Sequence, residues 1–181
     1  MPVSTSVEIA NSDKVTDTFQ QSPPMPTYLV GFAVFEFNSL SDKDGKFRVW
    51  GREDVVKTQG QYIFDKGPKI LAALSDYMGF DYYKMLPKMD LVAVPDFDAG
   101  AMENWGMNTY RENYIFFVSG VTLNRHIIQG LSLVGHVFSH HWFGSIVTAA
   151  RWDFAWLNEA FGRYNEYFGL HLVTKRSYVV M

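Results

Sequence analysis

The chain has 181 residues, 48% of them hydrophobic and 19% charged, with a formal net charge of −3. This composition suits one packed domain, or one domain with part of another, and excludes intrinsic disorder. With 16 Lys and Arg against 19 Asp and Glu, it offers no basic field for a nucleic acid or an anionic membrane.

The absence of cysteine excludes a disulfide framework, a thiolate metal site and a cysteine nucleophile. No apolar run approaches the ~18–20 residues that a membrane helix needs. Residues 1–20 are polar and lack the apolar core of a signal peptide. The expectation is a chain with no membrane segment and no readable address.

Residues 1–24 are polar and end in Ser22-Pro23-Pro24. Residues 28–37, aromatic and β-branched with loose alternation, predict a strand. The stretch 39–46, with Asp44-Gly45 at its centre, predicts a turn or linker, and Phe47–Trp50 a short strand. Over 54–78 the apolar spacing is helical, and Gly67-Pro68 is expected to kink or divide the helix. Residues 90–95 predict a strand, 98–106 a loop, and 109–118 one or two strands. From Thr122 to about Phe143 the pattern is helical, with Thr122 or Asn124 as N-cap and Gly144 as terminator. A last helix is expected from Leu157 to about Leu172. Strands precede helices, so the expected class is α+β.

The chemistry concentrates in 136–159. His136 and His140 are spaced to share one helix face, about 5–6 Å apart at Cβ. Two imidazoles so placed can share a tetrahedral zinc ion, which binds nitrogen at ~2.0–2.1 Å. Glu159 on the next helix can supply a third ligand and leave a fourth position for water. Spacing alone leaves both readings open, ligation and plain packing.

A second motif decides between them. Gly100-Ala101-Met102-Glu103-Asn104 resembles the GAMEN signature of the M1 zinc aminopeptidases, the aminopeptidase N-like gluzincins. His136, His140, Trp142-Phe143-Gly144 and Trp156-Leu157-Asn158-Glu159 fall where that family carries HExxH and its downstream Glu ligand. Weaker likeness runs back through residues 95–97, 54–78 and 23–32.

The resemblance implies a fold: the end of an N-terminal β-sandwich over 1–45, then the front part of a thermolysin-like catalytic domain over 46–181. It also implies a fragment or a much shortened relative. It implies one Zn2+ on His136, His140 and Glu159. Gly100, Ala101, Met102, Glu103 and Asn104 would bind substrate, with Glu103 receiving the α-ammonium group of a peptide N-terminus and the backbone before it aligning the peptide as an added strand. Family members are often plasma-membrane or extracellular proteins, although neither anchor nor signal is found here.

The departures matter as much. The glutamate that follows the first His in the family, and serves as general base, is replaced by Val137. His141 stands where the family usually has Gln, Phe154 where it has Asp, and Arg151 where it has a second aromatic. The family's oxyanion-stabilising Tyr would fall beyond Met181. His141, one turn past Val137, is the substitute base to consider.

Three readings follow: an impaired M1-like domain that still binds zinc and peptide N-termini, a slow but active aminopeptidase, or a non-enzymatic module. The last would bind a protein partner over surface exposed by the shortened chain, an expectation to which the 17% aromatic content also contributes.

Overall fold

The computed structural model describes residues 1–174, so the last residues of the expected 46–181 domain lie outside it. The order is β1 (Val3–Glu8), β2 (Val15–Phe19), β3 (Asn38–Ser41), β4 (Phe47–Gly51), α1 (Glu53–Gln59), α2 (Gln61–Met78), β5 (Met89–Val94), β6 (Ala101–Met102), β7 (Met107–Arg111), α3 (Glu112–Ile115), α4 (Asn124–Ser139) and α5 (Ala155–Thr174). The class is α+β. Helices α1 and α2 fall between strands rather than after them, as the crossover joining the parallel pair β4–β5 requires.

The main sheet has the order β3-β4-β5-β7-β6. Its middle is parallel (β4–β5, β5–β7) and both margins are antiparallel (β3–β4, β6–β7). The central strand β5, Met-Asp-Leu-Val-Ala-Val, is buried along nearly its whole length, as a strand covered on both faces should be. Its one charge is answered locally. Asp90 accepts from Arg48 Nε at 2.6 Å, Trp50 Nε1 at 3.2 Å and Lys88 Nζ at 2.5 Å, which ties β4 to β5 at a point where an unpaired carboxylate would be costly.

Several sequence expectations are corrected. The polar start of the chain, within the 1–45 segment expected to end a β-sandwich, is not among them: it forms the β1–β2 hairpin, a separate two-stranded sheet. Residues 28–37 are not a strand: a 3-10 turn covers Thr27–Leu29 and the rest is irregular, with Phe32 and Val34 more than 90% exposed. Strand-like composition needs a partner edge and a surface to pack on, and no described strand pairs with this stretch. Instead Phe35 stacks on Phe37 and lies against Trp50.

The linker expected over 39–46 contains β3, so residue 45 falls inside the β3–β4 hairpin. The loop expected over 98–106 contains the edge strand β6, and 109–118 is the end of β7 followed by α3. The helical stretch over 54–78 divides at Gly60, not at Gly67-Pro68, and Pro68 lies within α2. Gly67 serves packing: a Cβ there would lie 2.4 Å from Phe47 Cζ. Neither proposed N-cap caps α4. Thr122 Oγ1 accepts from Val118 N at 2.8 Å, and Leu123 occupies the cap position without a side-chain bond.

Helices α2, α4 and α5 pack together beside the sheet. The apolar cluster beneath them joins Phe47, Ile63, Ile70, Leu71, Leu74, Leu91, Val134 and Phe138. No described helix is long and apolar enough to cross a membrane.

Close packing at two glycines gives a contrast that can be measured. A Cβ on Gly130 of α4 would lie 2.0 Å from the Tyr114 carbonyl oxygen, a backbone atom. Gly67→Ala and Gly130→Ala should each lower stability by about 1–3 kcal/mol in urea unfolding, the usual cost of overpacking. Phe47→Leu should rescue the first by making room. No side-chain change should rescue the second.

Candidate functional site

Helix α4 carries His136 in its last turn, and His140 is its C-cap, still in αR conformation (φ −61°, ψ −21°). Past it the chain turns back on itself. The carbonyls of His140, His141 and Trp142 accept from the amides of Ser145, Ile146 and Val147, and Gly144 takes the positive φ of 131° that the turn requires. The sequence expected the helix to reach Phe143; it ends at Ser139 because this turn captures the carbonyls instead. The Phe143 carbonyl lies 3.1 Å from His140 Nδ1. A carbonyl can only accept, so Nδ1 carries the proton and Nε2 presents its lone pair.

Helix α5 brings Glu159 to the same place. His140 Nε2 lies 3.0 Å from His136 Nε2, Glu159 Oε2 is 3.4 Å from His136 Nε2, and the same oxygen is 3.7 Å from His140 Nε2. Two ligands at ~2.0–2.1 Å from a common tetrahedral centre stand ~3.3 Å apart, so these separations fit one ion. The helices can approach this closely because position 162 is glycine. A Cβ there would lie 2.9 Å from both His136 Cε1 and His140 Nε2, filling the cradle. The Glu159 side chain is 65% exposed and the His140 side chain 1%, so the group opens to solvent on the Glu159 side.

A second carboxylate, not singled out from sequence, stands behind the first histidine. Glu166 Oε2 lies 3.6 Å from His136 Nδ1 and accepts from Arg163 Nη1 at 2.6 Å. Its signal was the spacing of seven from Glu159, two helical turns on one face. Burial disfavours charge on His136, but Glu159 and Glu166 outweigh it and push its pKa up to about 9. The neighbouring imidazoles, His136 first and then His140, hold Glu159 far below the carboxylate range. Burial works against charge on Glu166 as well, yet His136 and Arg163 bring its pKa down.

The GAMEN segment lies at the sheet margin. Ala101 and Met102 form β6, paired to Tyr110 and Thr109 of β7, with the outer edge of β6 carrying no further strand among the described residues. Arg111 fixes the preceding loop by donating to Phe97 O at 2.7 Å, and its own amide bonds Gly100 O at 3.0 Å. Glu103 is half-buried, and both it and Glu159 act on the Tyr28 hydroxyl, whose pKa is raised first by burial and then by these two carboxylates. Asn104 Nδ2 donates to Leu29 O at 3.4 Å.

Val137 is 2% exposed and belongs to the apolar cluster. His141 cannot act in its place. It is fully buried against the Tyr82 ring at 5.2 Å, and neither ring nitrogen has a hydrogen-bond partner. Burial, with the neighbouring His140, lowers its pKa to about 3. A base that weak, walled off from water, takes no proton near neutral pH.

The sign of the resulting pH dependence follows. In the unfolded chain His141 charges below about 6.5, whereas in the folded chain it stays neutral down to about 3. Stability is therefore lost as pH falls through that window, at about 1.4 kcal/mol per pH unit. Glu159 adds its own loss only below 4.5. The contribution of His136 is complete below 6.5 and disappears as pH rises through about 9. In urea unfolding of the metal-free chain, His141→Leu should flatten the slope between 6.5 and 4.5 while leaving the alkaline limb in place.

The Peptidase family M1 domain matches residues 62–180. Among individual proteins, the chain is 37% identical over 174 residues to a membrane alanyl aminopeptidase of Manduca sexta, covering 93% of this chain and 17% of that protein. It is 38% identical over 175 residues to aminopeptidase Ey of Gallus gallus (93% and 18%) and 41% identical over 160 residues to a membrane alanyl aminopeptidase of Heliothis virescens (84% and 16%). The chain thus spans less than a fifth of the length of the curated relatives it matches. The family match covers well over half the chain and takes in both the GAMEN segment and the His136, His140 and Glu159 group: this chain belongs to peptidase family M1.

Proposed function

We propose that this chain is an M1 aminopeptidase domain that holds one Zn2+ on His136, His140 and Glu159, captures peptide N-termini, and is impaired in hydrolysis. The observation that carries the reading is the triangle of three donor atoms, 3.0 to 3.7 Å on a side, beside a glycine that keeps the cradle open.

Each residue has a task in this reading. The Phe143 carbonyl and Glu166 orient the two imidazoles so that Nε2 of each faces the ion. Glu103 receives the α-ammonium group, an ion pair strengthened by partial burial. The free edge of β6 accepts the peptide backbone as a further strand. The Gly100 carbonyl anchors the start of that edge by accepting from the Arg111 amide at 3.0 Å. Bound zinc would polarise the scissile carbonyl and acidify a water molecule. The proton of that water needs an acceptor, and Val137 offers none. A positioned base is worth about 10²–10⁴ in rate, so the loss falls on turnover rather than on binding.

Purified chain should hold about one zinc, and His140→Ala none, when metal is measured by mass spectrometry after dialysis. Gly162→Val should also lose the metal, by filling the cradle. Zinc-loaded wild type should cleave aminoacyl anilides at a rate at least about 10²-fold below that of Val137→Glu, provided the variant keeps its fold in circular dichroism. Substantial chelator-sensitive turnover by the wild type would remove the impairment. Absence of zinc from the wild type would remove the metal reading.

A second reading has an observation of its own. Trp152 and Trp156, before and at the start of α5, are 72% and 62% exposed, and Tyr164 in the middle of the helix is 64% exposed. Large exposed apolar patches mark association surfaces, which supports a partner-binding module. A monodisperse monomer that binds no hydrophobic dye would count against it.

A further inference from the structure

The short segment 26–31 touches both halves of the site. The Tyr28 hydroxyl donates to the Gly144 carbonyl at 3.1 Å, and the Asn158 amide comes up to the same glycine: a Cβ on Gly144 would lie 3.1 Å from the Tyr28 hydroxyl and 3.6 Å from Asn158 Nδ2. Its ring meets Trp152 edge-on at 5.3 Å. Gly144 follows Phe143, whose carbonyl orients His140, and Asn158 immediately precedes Glu159. One hydroxyl therefore stands between the loop behind the two histidines and the turn of α5 that carries the carboxylate. The adjoining residues face the other way. Leu29 is 1% exposed and its carbonyl holds Asn104, while Gly31 lies so close that a Cβ would stand 2.9 Å from Asn104 Cγ.

We propose that Tyr28 is a positioning residue for the metal site: its hydroxyl, bridging Gly144 and Asn158, fixes the spacing of His140 and Glu159. The inference rests on the zinc reading above. The chemistry is that of an outer partner of metal ligands, which governs affinity by holding donors at ligation distance rather than by touching the ion. A hydroxyl suits this place because it donates and accepts at once: it gives to the Gly144 carbonyl and keeps accepting capacity for the amide of Asn158 beside it. Phenylalanine would keep the ring on Trp152 and lose only the bridge.

The test uses the full chain and two probes, Zn2+ in competition with a chelating dye and Co2+ read by its visible absorption. Tyr28→Phe should weaken Zn2+ binding by about 10- to 100-fold, the range seen when such outer partners are removed, and should change the Co2+ band shape. Its thermal midpoint in chelator should match that of the wild type, a combination that general loosening of the fold does not produce. Thr148→Val is the control. Thr148 Oγ1 donates to the same Gly144 carbonyl at 2.9 Å but bridges nothing to α5, and its affinity should stay within about twofold of wild type, as for a neighbour outside the coupled set.

Equal Zn2+ affinity and identical Co2+ spectra for wild type and Tyr28→Phe would overturn the inference and leave the zinc reading standing. An equal loss in Thr148→Val would overturn it too, by placing the effect in the loop carbonyl alone. A wild type that binds neither ion would overturn both readings. Should Tyr28→Phe fail to fold, Asn158→Ala breaks the same bridge from the other side, and unchanged affinity there overturns the inference.

Discussion

The close approach of α4 and α5 is the constraint on which the rest depends. Each helix gives up a side chain at the crossing. A Cβ on Gly135 would stand 3.2 Å from the Glu166 carbonyl oxygen, and one on Gly162 would strike the two imidazoles. With those positions bare, imidazoles from one helix and carboxylates from the other converge to separations of 3.0 to 3.6 Å. Residues on separate helices become a single donor set only at such short interaxial distance.

That convergence concentrates charge. His136 stands between Glu159 and Glu166, one carboxylate near each ring nitrogen, and Arg163 balances the second. Such a cluster is unfavourable to assemble in a half-buried place unless its members answer one another. A cation in the cradle would replace the proton that His136 otherwise holds. With an ion bound as proposed, the layers would run ion, ligand, carboxylate, guanidinium, each placed to orient the one inside it.

Two neighbouring positions in α4 and the turn after it have gone apolar in effect. Val137 joins the core outright. His141 is a polar residue treated as a hydrophobe, enclosed by Tyr82 and Phe138 with both nitrogens unbonded. Unpaired buried polar atoms cost about 1–3 kcal/mol, so this turn trades stability for no proton-transfer group that could be used. In the reading proposed above, donors for a metal remain at His136 and His140 while the positions next to them, Val137 and His141, offer no accessible proton acceptor.

The sequence by itself determined the class and the family, and it singled out His136, His140 and Glu159, which the fold brings together. His136, His140 and Glu159 were legible because helical spacing and a second motif are local, one-dimensional signals. Val137 was legible because absence of a titratable group needs no geometry. Tertiary structure decided the rest. The aromatic stretch 28–37 lost its strand because no described strand came to pair with it. Gly67 and Gly162 acquired their roles from what happened to lie opposite them. Glu166, the Phe143 carbonyl and Tyr28, 116 residues from Gly144, became parts of one site only when the chain folded. Chemical identity is written along the chain, whereas proximity between distant residues is a product of packing, and no period or motif encodes it.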